Sequence, residues 1–250
     1  MHSRLIAGAM AVAVTLGVAL PAVARTHSGT AGANFCTNID STTSQVTTRM
    51  GDVDTKIVDF KGTRSAKKTD RWASQDTKLT TARTTGDTKR NDGYAKLDAK
   101  AMTTEQQAAV ATFKVTVEAA VTTRNTAFDA AVKAYRDGVD VAIASFTTNL
   151  DVAHTTFESS VDAAIATAKA DCAAGKSPSE VRTTFSDAIR VAQDAFKASR
   201  ETLRSGNPIK TTQATLAATR KTAIDAARAT FKSTVEQAAA TLKTAFGKTP

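Results

Sequence analysis

Large apolar residues return every three or four positions at Val110, Phe113, Val117, Val121, Phe128, Val132, Tyr135, Val139, Ile143, Phe146, Leu150, Phe157, Val161 and Ile165. A half-buried strand alternates by two, whereas this interval marks one face of a helix. The stretch from Thr104 to Cys172 contains no proline and a single glycine, Gly138, so the pattern predicts one very long amphipathic helix. Tyr135, Phe146 and Phe157 stand eleven apart. Their period is about 3.67 residues, longer than a strict heptad gives, so the stripe runs straight or slightly right-handed.

Such a stripe needs a partner, and an earlier segment supplies it. Cys36, Ile39, Thr43, Val46, Met50, Val53, Ile57 and Phe60 alternate threes and fours in the manner of a coiled-coil seam. Beyond Phe60 the seam thins to Trp72, Leu79, Tyr94 and Leu97, while Lys61, Arg64, Lys67, Lys68, Arg71, Lys78, Arg83, Lys89 and Arg90 crowd the same segment. Gly86 and Gly93 each weaken a helix interior by about 1 kcal/mol relative to alanine, which predicts fraying or a kink there.

Antiparallel arms fix one another's register. The stripes pair Val46 with Val161, Met50 with Phe157, Ile57 with Leu150, Trp72 with Tyr135, Leu79 with Phe128, Tyr94 with Phe113 and Leu97 with Val110. The midpoint falls between Thr103 and Thr104, in Met102-Thr103-Thr104-Glu105, which offers a hydroxyl cap for the second arm. Cys36 and Cys172 give nearly the same midpoint independently. Each arm is then about 65 residues, on the order of 100 Å.

The second arm ends at Ala173-Ala174-Gly175, and Ser177-Pro178-Ser179-Glu180 combines a capping box with proline at the first helical position. A third stripe, Val181, Phe185, Ile189, Ala192, Phe196 and Leu203, stops at Gly206-Asn207-Pro208. A fourth runs through Ile209, Leu216, Ile224, Ala227, Phe231, Val235, Ala238, Leu242 and Phe246 to Gly247. The short connection predicts antiparallel neighbours, Leu203 facing Ile209 and Phe196 facing Leu216. This pair is expected to fold back along the cysteine end, giving a four-helix base and a two-helix stalk. The expected class is all-α: a long antiparallel helical hairpin over residues 36–174 and a shorter C-terminal helical hairpin over residues 177–247.

Composition adds a destination. Arg4, an apolar run from Leu5 to Leu20, and Pro21-Ala22-Val23-Ala24 read as a secretory signal peptide over residues 1–24, cleaved after Ala24. The run is short for a membrane anchor, and no cysteine follows it to take a lipid. Residues 25–34 are small and polar, and 25–35 read as a disordered mature N-terminus. Loss of Arg4 takes the 33 Lys and Arg to 32 against 24 Asp and Glu, so the formal charge of +9 becomes +8. Export makes a disulfide between Cys36 and Cys172 the expectation. Closing a loop of about 135 residues removes unfolded-state entropy equivalent to ~4 to 5 kcal/mol in the chain-entropy account.

Candidate chemistry is sparse. His154 falls on the second arm's stripe opposite Val53 and reads as a core-edge histidine, and His27 lies in the polar start. No His, Cys, Asp and Glu set shows metal spacing along the chain, no strand precedes a glycine-rich loop, and the carboxylates are scattered. No catalytic, cofactor-binding or metal residue is therefore expected, and the chain reads as a non-enzyme. The basic residues from Lys61 to Arg90 are the candidate contact with an anionic surface, weighed against a simple solvated face. Trp72 alone interleaves them, which disfavours nucleic acid.

Phe35-Cys36-Thr37-Asn38-Ile39, a long polar helix, and a second cysteine about 135 residues on resemble exported coiled-coil hairpin proteins of ultra-small candidate-phylum bacteria. The resemblance covers roughly residues 35–175 and implies a surface or envelope protein without assigned activity. Three functions fit the residues: a structural, adhesive or interaction spacer at the cell envelope, a lipid- or membrane-surface binder built on apolipoprotein-like eleven-residue repeats, and a periplasmic holdase-type chaperone. The corresponding partners are an envelope protein or anionic surface polymer, a membrane surface, an unfolded client, or a second copy of the chain.

Overall fold

The computed structural model describes residues 34–206 and 208–247; the leader and the polar start up to residue 33 lie outside them. The described residues form four helices and no strand: α1 (Ile39–Asp98), α2 (Thr104–Ala173), α3 (Pro178–Ser205) and α4 (Pro208–Ala245). The chain is all-α, a long antiparallel helical hairpin followed by a shorter C-terminal pair. No described helix is long and apolar enough to cross a membrane.

Helix ends follow their local chemistry. Thr103 Oγ1 accepts from the Gln106 backbone N–H at 3.2 Å, and Gln106 Oε1 accepts from the backbone N–H groups of Met102 and Thr103, a reciprocal cap that starts α2. α2 closes on Gly175, whose φ of 72° is open to glycine at little cost. The Gly175 N–H donates to the Cys172 carbonyl and the Lys176 N–H to the Asp171 carbonyl, satisfying two terminal acceptors. At Ser177 the expected capping box does not form: the side chain caps no backbone N–H, and its Oγ lies 2.9 Å from Ser179 Oγ. Pro178 still opens α3.

The helices pack as two units, each containing part of both long arms. In the cysteine unit (residues up to Ser65, with Ala142–Lys210) α3 lies along α1 and α2. Met50, Val53, Ile57, Leu150, Phe157 and Val161 form its core with Val181, Phe185, Ile189 and Phe196 of α3, and Leu203 and Ile209 join the same cluster. Phe35, expected in the irregular start, is buried against Phe185 with ring centroids 5.7 Å apart. Cys36 and Cys172 are bonded, with Cα atoms 5.3 Å apart across a separation of 136 residues.

In the turn unit (Ala66–Val141, with residues from Thr211 on) the third helix is α4. Leu97, Ala101, Val110 and Phe113 cluster with Leu242 and Phe246 beside the α1–α2 turn. Tyr94 meets Phe113 edge-on at 6.4 Å, as the register requires. A Cβ on Gly138 would come within 2.6 Å of a Leu216 methyl, so the lone glycine of α2 is where α4 approaches closely. Farther along, Arg220 lies over Tyr135, Arg228 over Phe128 and Arg124 over Phe231, at 4.3 to 5.5 Å.

The expected four-helix base with a two-helix stalk therefore gives way to one C-terminal helix beside the long pair in each unit. Phe196 stacks on Phe157 at 5.2 Å, and Leu216 reaches Gly138 instead. The reason is chemical: α3 carries the large apolar stripe that the cysteine unit can bury, while Arg220 and Arg228 of α4 match the rings of α2.

Candidate functional site

The basic segment of α1 divides into two sets. On α1 the last fully buried side chain is Ile57. Past it, seam positions are held by Lys61, Arg64, Lys68, Trp72, Leu79, Arg83, Arg90, Tyr94 and Leu97, all half-buried. The long cations lay their methylene stems in the seam and carry the charge to α2. In the cysteine unit Lys61 pairs with Asp151, and Arg64 lies over the rings of Phe60 and Phe146. In the turn unit Lys68 pairs with Asp140, Arg83 with Asp129 and Arg90 with Glu118. Others run the other way: Arg136 and Lys114 of α2 pair with Asp76 and Asp98 in the turn unit, and Lys169 of α2 with Asp40 in the cysteine unit.

Electrostatics follow the pairing. Hydrogen bonding to Arg90 holds the Glu118 carboxyl below its ordinary range, and Arg136 does the same for Asp76. Burial, then the adjacent Glu118 carboxylate, push the Tyr94 hydroxyl up to about 12. The expected Trp72–Tyr135 ring stack is replaced by cations: Lys68 Nζ and Arg136 Cζ lie 4.7 and 5.2 Å from the Trp72 ring, and Arg220 covers Tyr135.

Five of the nine candidate surface cations, Lys61, Arg64, Lys68, Arg83 and Arg90, are thus committed inside the fold. Lys67, Arg71, Lys78 and Lys89 remain exposed. At about 100° per residue these four fall within an arc of about 40° on α1, and exposed Lys96 continues the line. From Lys67 to Lys96 the row covers about 44 Å of helix. Exposed Asp92 and Asp70 border that arc, about 20° and 60° from Lys67.

In the cysteine unit the fold brings together a set that spacing along the chain did not display. Asp54 of α1 and His154 and Glu158 of α2 each place one donor atom within 4.8 Å of the others. His154 Nε2 is 2.8 Å from Asp54 Oδ1, and Nδ1 is 3.6 Å from Glu158 Oε2. The ring is also packed against Phe196 at 5.9 Å. Spacing along the chain could not find this set, because Asp54 arrives from the other arm. Two signals were present: the helical i, i+4 spacing of His154 and Glu158, and the register that sets Val53, next to Asp54, opposite His154.

Two shallow grooves follow the α2–α3 junction of the cysteine unit, with volumes of about 240 and 350 Å³. Ala164, Ala168, Thr184 and Ala188 line one; Thr156, Ala192, Ala195 and Ser199 line the other. They offer no convergent charged groups on which to build a reaction site. No family model, curated protein or solved structure matches the chain.

Proposed function

We propose that this chain is an exported, non-enzymatic helical spacer of the cell envelope that rests on an anionic surface polymer through the outer face of α1. The observation that carries the reading is the row of Lys67, Arg71, Lys78 and Lys89, exposed on one face while the neighbouring cations are spent on α2. A linear row of flexible cations suits a linear polyanion, which needs charge at intervals and no pocket. Arms of 60 and 70 residues closed by Cys36–Cys172 suit a spacing role, and the disulfide suits an oxidising compartment. The apolar run from Leu5 to Leu20 would then be the export signal removed after Ala24. A lipid-surface role has less support, because Val58, Val115, Val141, Val152 and Val191 are exposed singly and not as a broad apolar face.

The test is salt elution of the full exported chain from an immobilised inorganic polyphosphate column. Replacing Lys67, Arg71, Lys78 and Lys89 with glutamine should lower the eluting salt concentration clearly. The control set, Lys133, Lys197, Lys221 and Lys232 to glutamine, removes equal charge elsewhere and should shift it much less. Equal shifts for the two sets would sink the α1 face as the contact.

A further inference from the structure

We propose that Asp54, His154 and Glu158 form a binding site for a divalent transition-metal ion of the zinc type, joining α1 to α2 within the cysteine unit. The donor set is one imidazole nitrogen and two carboxylates, the borderline mixture that zinc and its neighbours take. His154 and Glu158 share one face of α2 a single turn apart, so they form a chelate on one rigid element. Asp54 closes the set from α1.

The geometry is near what coordination needs. Donors held about 2.0 to 2.2 Å from one ion stand roughly 3 to 3.5 Å apart. With Nε2 as the imidazole donor, Asp54 Oδ1 at 2.8 Å is already near that separation, and Glu158 Oε2, now 3.6 Å from Nδ1, turns toward the Nε2 side. The whole set lies within 4.8 Å, and rotation of the part-exposed Asp54 and Glu158 side chains closes the remainder while the ring stays packed on Phe196. Water at the open side supplies the other positions.

A second observation points the same way. His154 Nε2 is buried and makes no hydrogen bond, although Asp54 Oδ1 lies 2.8 Å away. The two carboxylates flank the ring at different nitrogens, Asp54 at Nε2 and Glu158 at Nδ1, and a divalent ion bound at Nε2 would neutralise both. Among the described residues neither Asp54 nor Glu158 has a lysine or arginine in its ion pairs, and Lys61 is held by Asp151. This site does not depend on the polyanion reading above.

The test uses the full exported chain and the metal alone. Co²⁺ should give visible absorption bands of nitrogen and oxygen coordination at one equivalent, and Zn²⁺ should displace it and raise the melting temperature. His154→Gln and Glu158→Gln should each weaken binding by at least about tenfold, taking the lower range for loss of a supporting metal contact as the floor. His27→Gln should leave both readouts unchanged. Glu158 lies at the margin, so its variant tests the site even if His154→Gln perturbs packing. No Co²⁺ spectrum and no zinc-dependent melting shift in the unaltered chain would overturn the site. So would binding that survives both variants or is lost with His27→Gln.

Discussion

Threonine is a middling helix former, yet it recurs throughout these helices. Its hydroxyl explains the tolerance: Thr47, Thr81, Thr116, Thr123, Thr156 and Thr219 each donate to the carbonyl four residues earlier, so the side chain satisfies itself on its own helix. Buried alanines at 120, 131, 164, 168 and 192 let neighbouring backbones come close where larger residues are scarce. Tyr94 carries a pH dependence set by its surroundings. Its folded pKa of about 12 exceeds the ordinary value near 10, so the neutral hydroxyl contributes stability that is whole below about pH 10 and is lost as pH rises through 12. Melting temperature followed through that window should fall more steeply for the native chain than for Tyr94→Phe. Parallel curves would mean that the buried hydroxyl is not coupled to folding.

At the scale of the helices, the sequence displayed the arms wherever apolar spacing was continuous. α2 was legible from end to end, the first twenty residues of α1 likewise, and Thr103 and Gly175 marked their boundaries. The second half of α1 was only half legible. Its seam continues through Lys61, Lys68, Arg83 and Arg90, but a cation at a seam position breaks the apolar pattern, and only the opposite arm shows where the charge goes. The packing of α3 and α4 was not legible, because a short connection limits the turn without choosing the faces; Gly206 stays right-handed at φ −66°. Exposed ion pairs contribute about 0.2 to 1 kcal/mol each, so their main effect here is on register. Reversing Arg83→Asp alone should lower the urea midpoint, and adding Asp129→Arg should restore most of the loss. Additive losses in the double variant would show that Arg83 and Asp129 do not share a rung.

At the scale of the whole molecule, a narrow core is supplemented by covalent closure. With Cys36 and Cys172 joined, the unfolded chain loses entropy equivalent to about 5 kcal/mol in the chain-entropy account, comparable to the net stability of many domains. That closure supports the export proposed above, and the proposal joins the two: a helical hairpin closed by Cys36–Cys172 and exported. Non-reducing peptide mapping of the protein taken from its native envelope, with its N-terminus determined, tests both parts at once. The expected result is a chain beginning at Arg25, with Cys36 and Cys172 linked within the same molecule. A chain that retains Leu5 to Leu20 and carries two free thiols would contradict it.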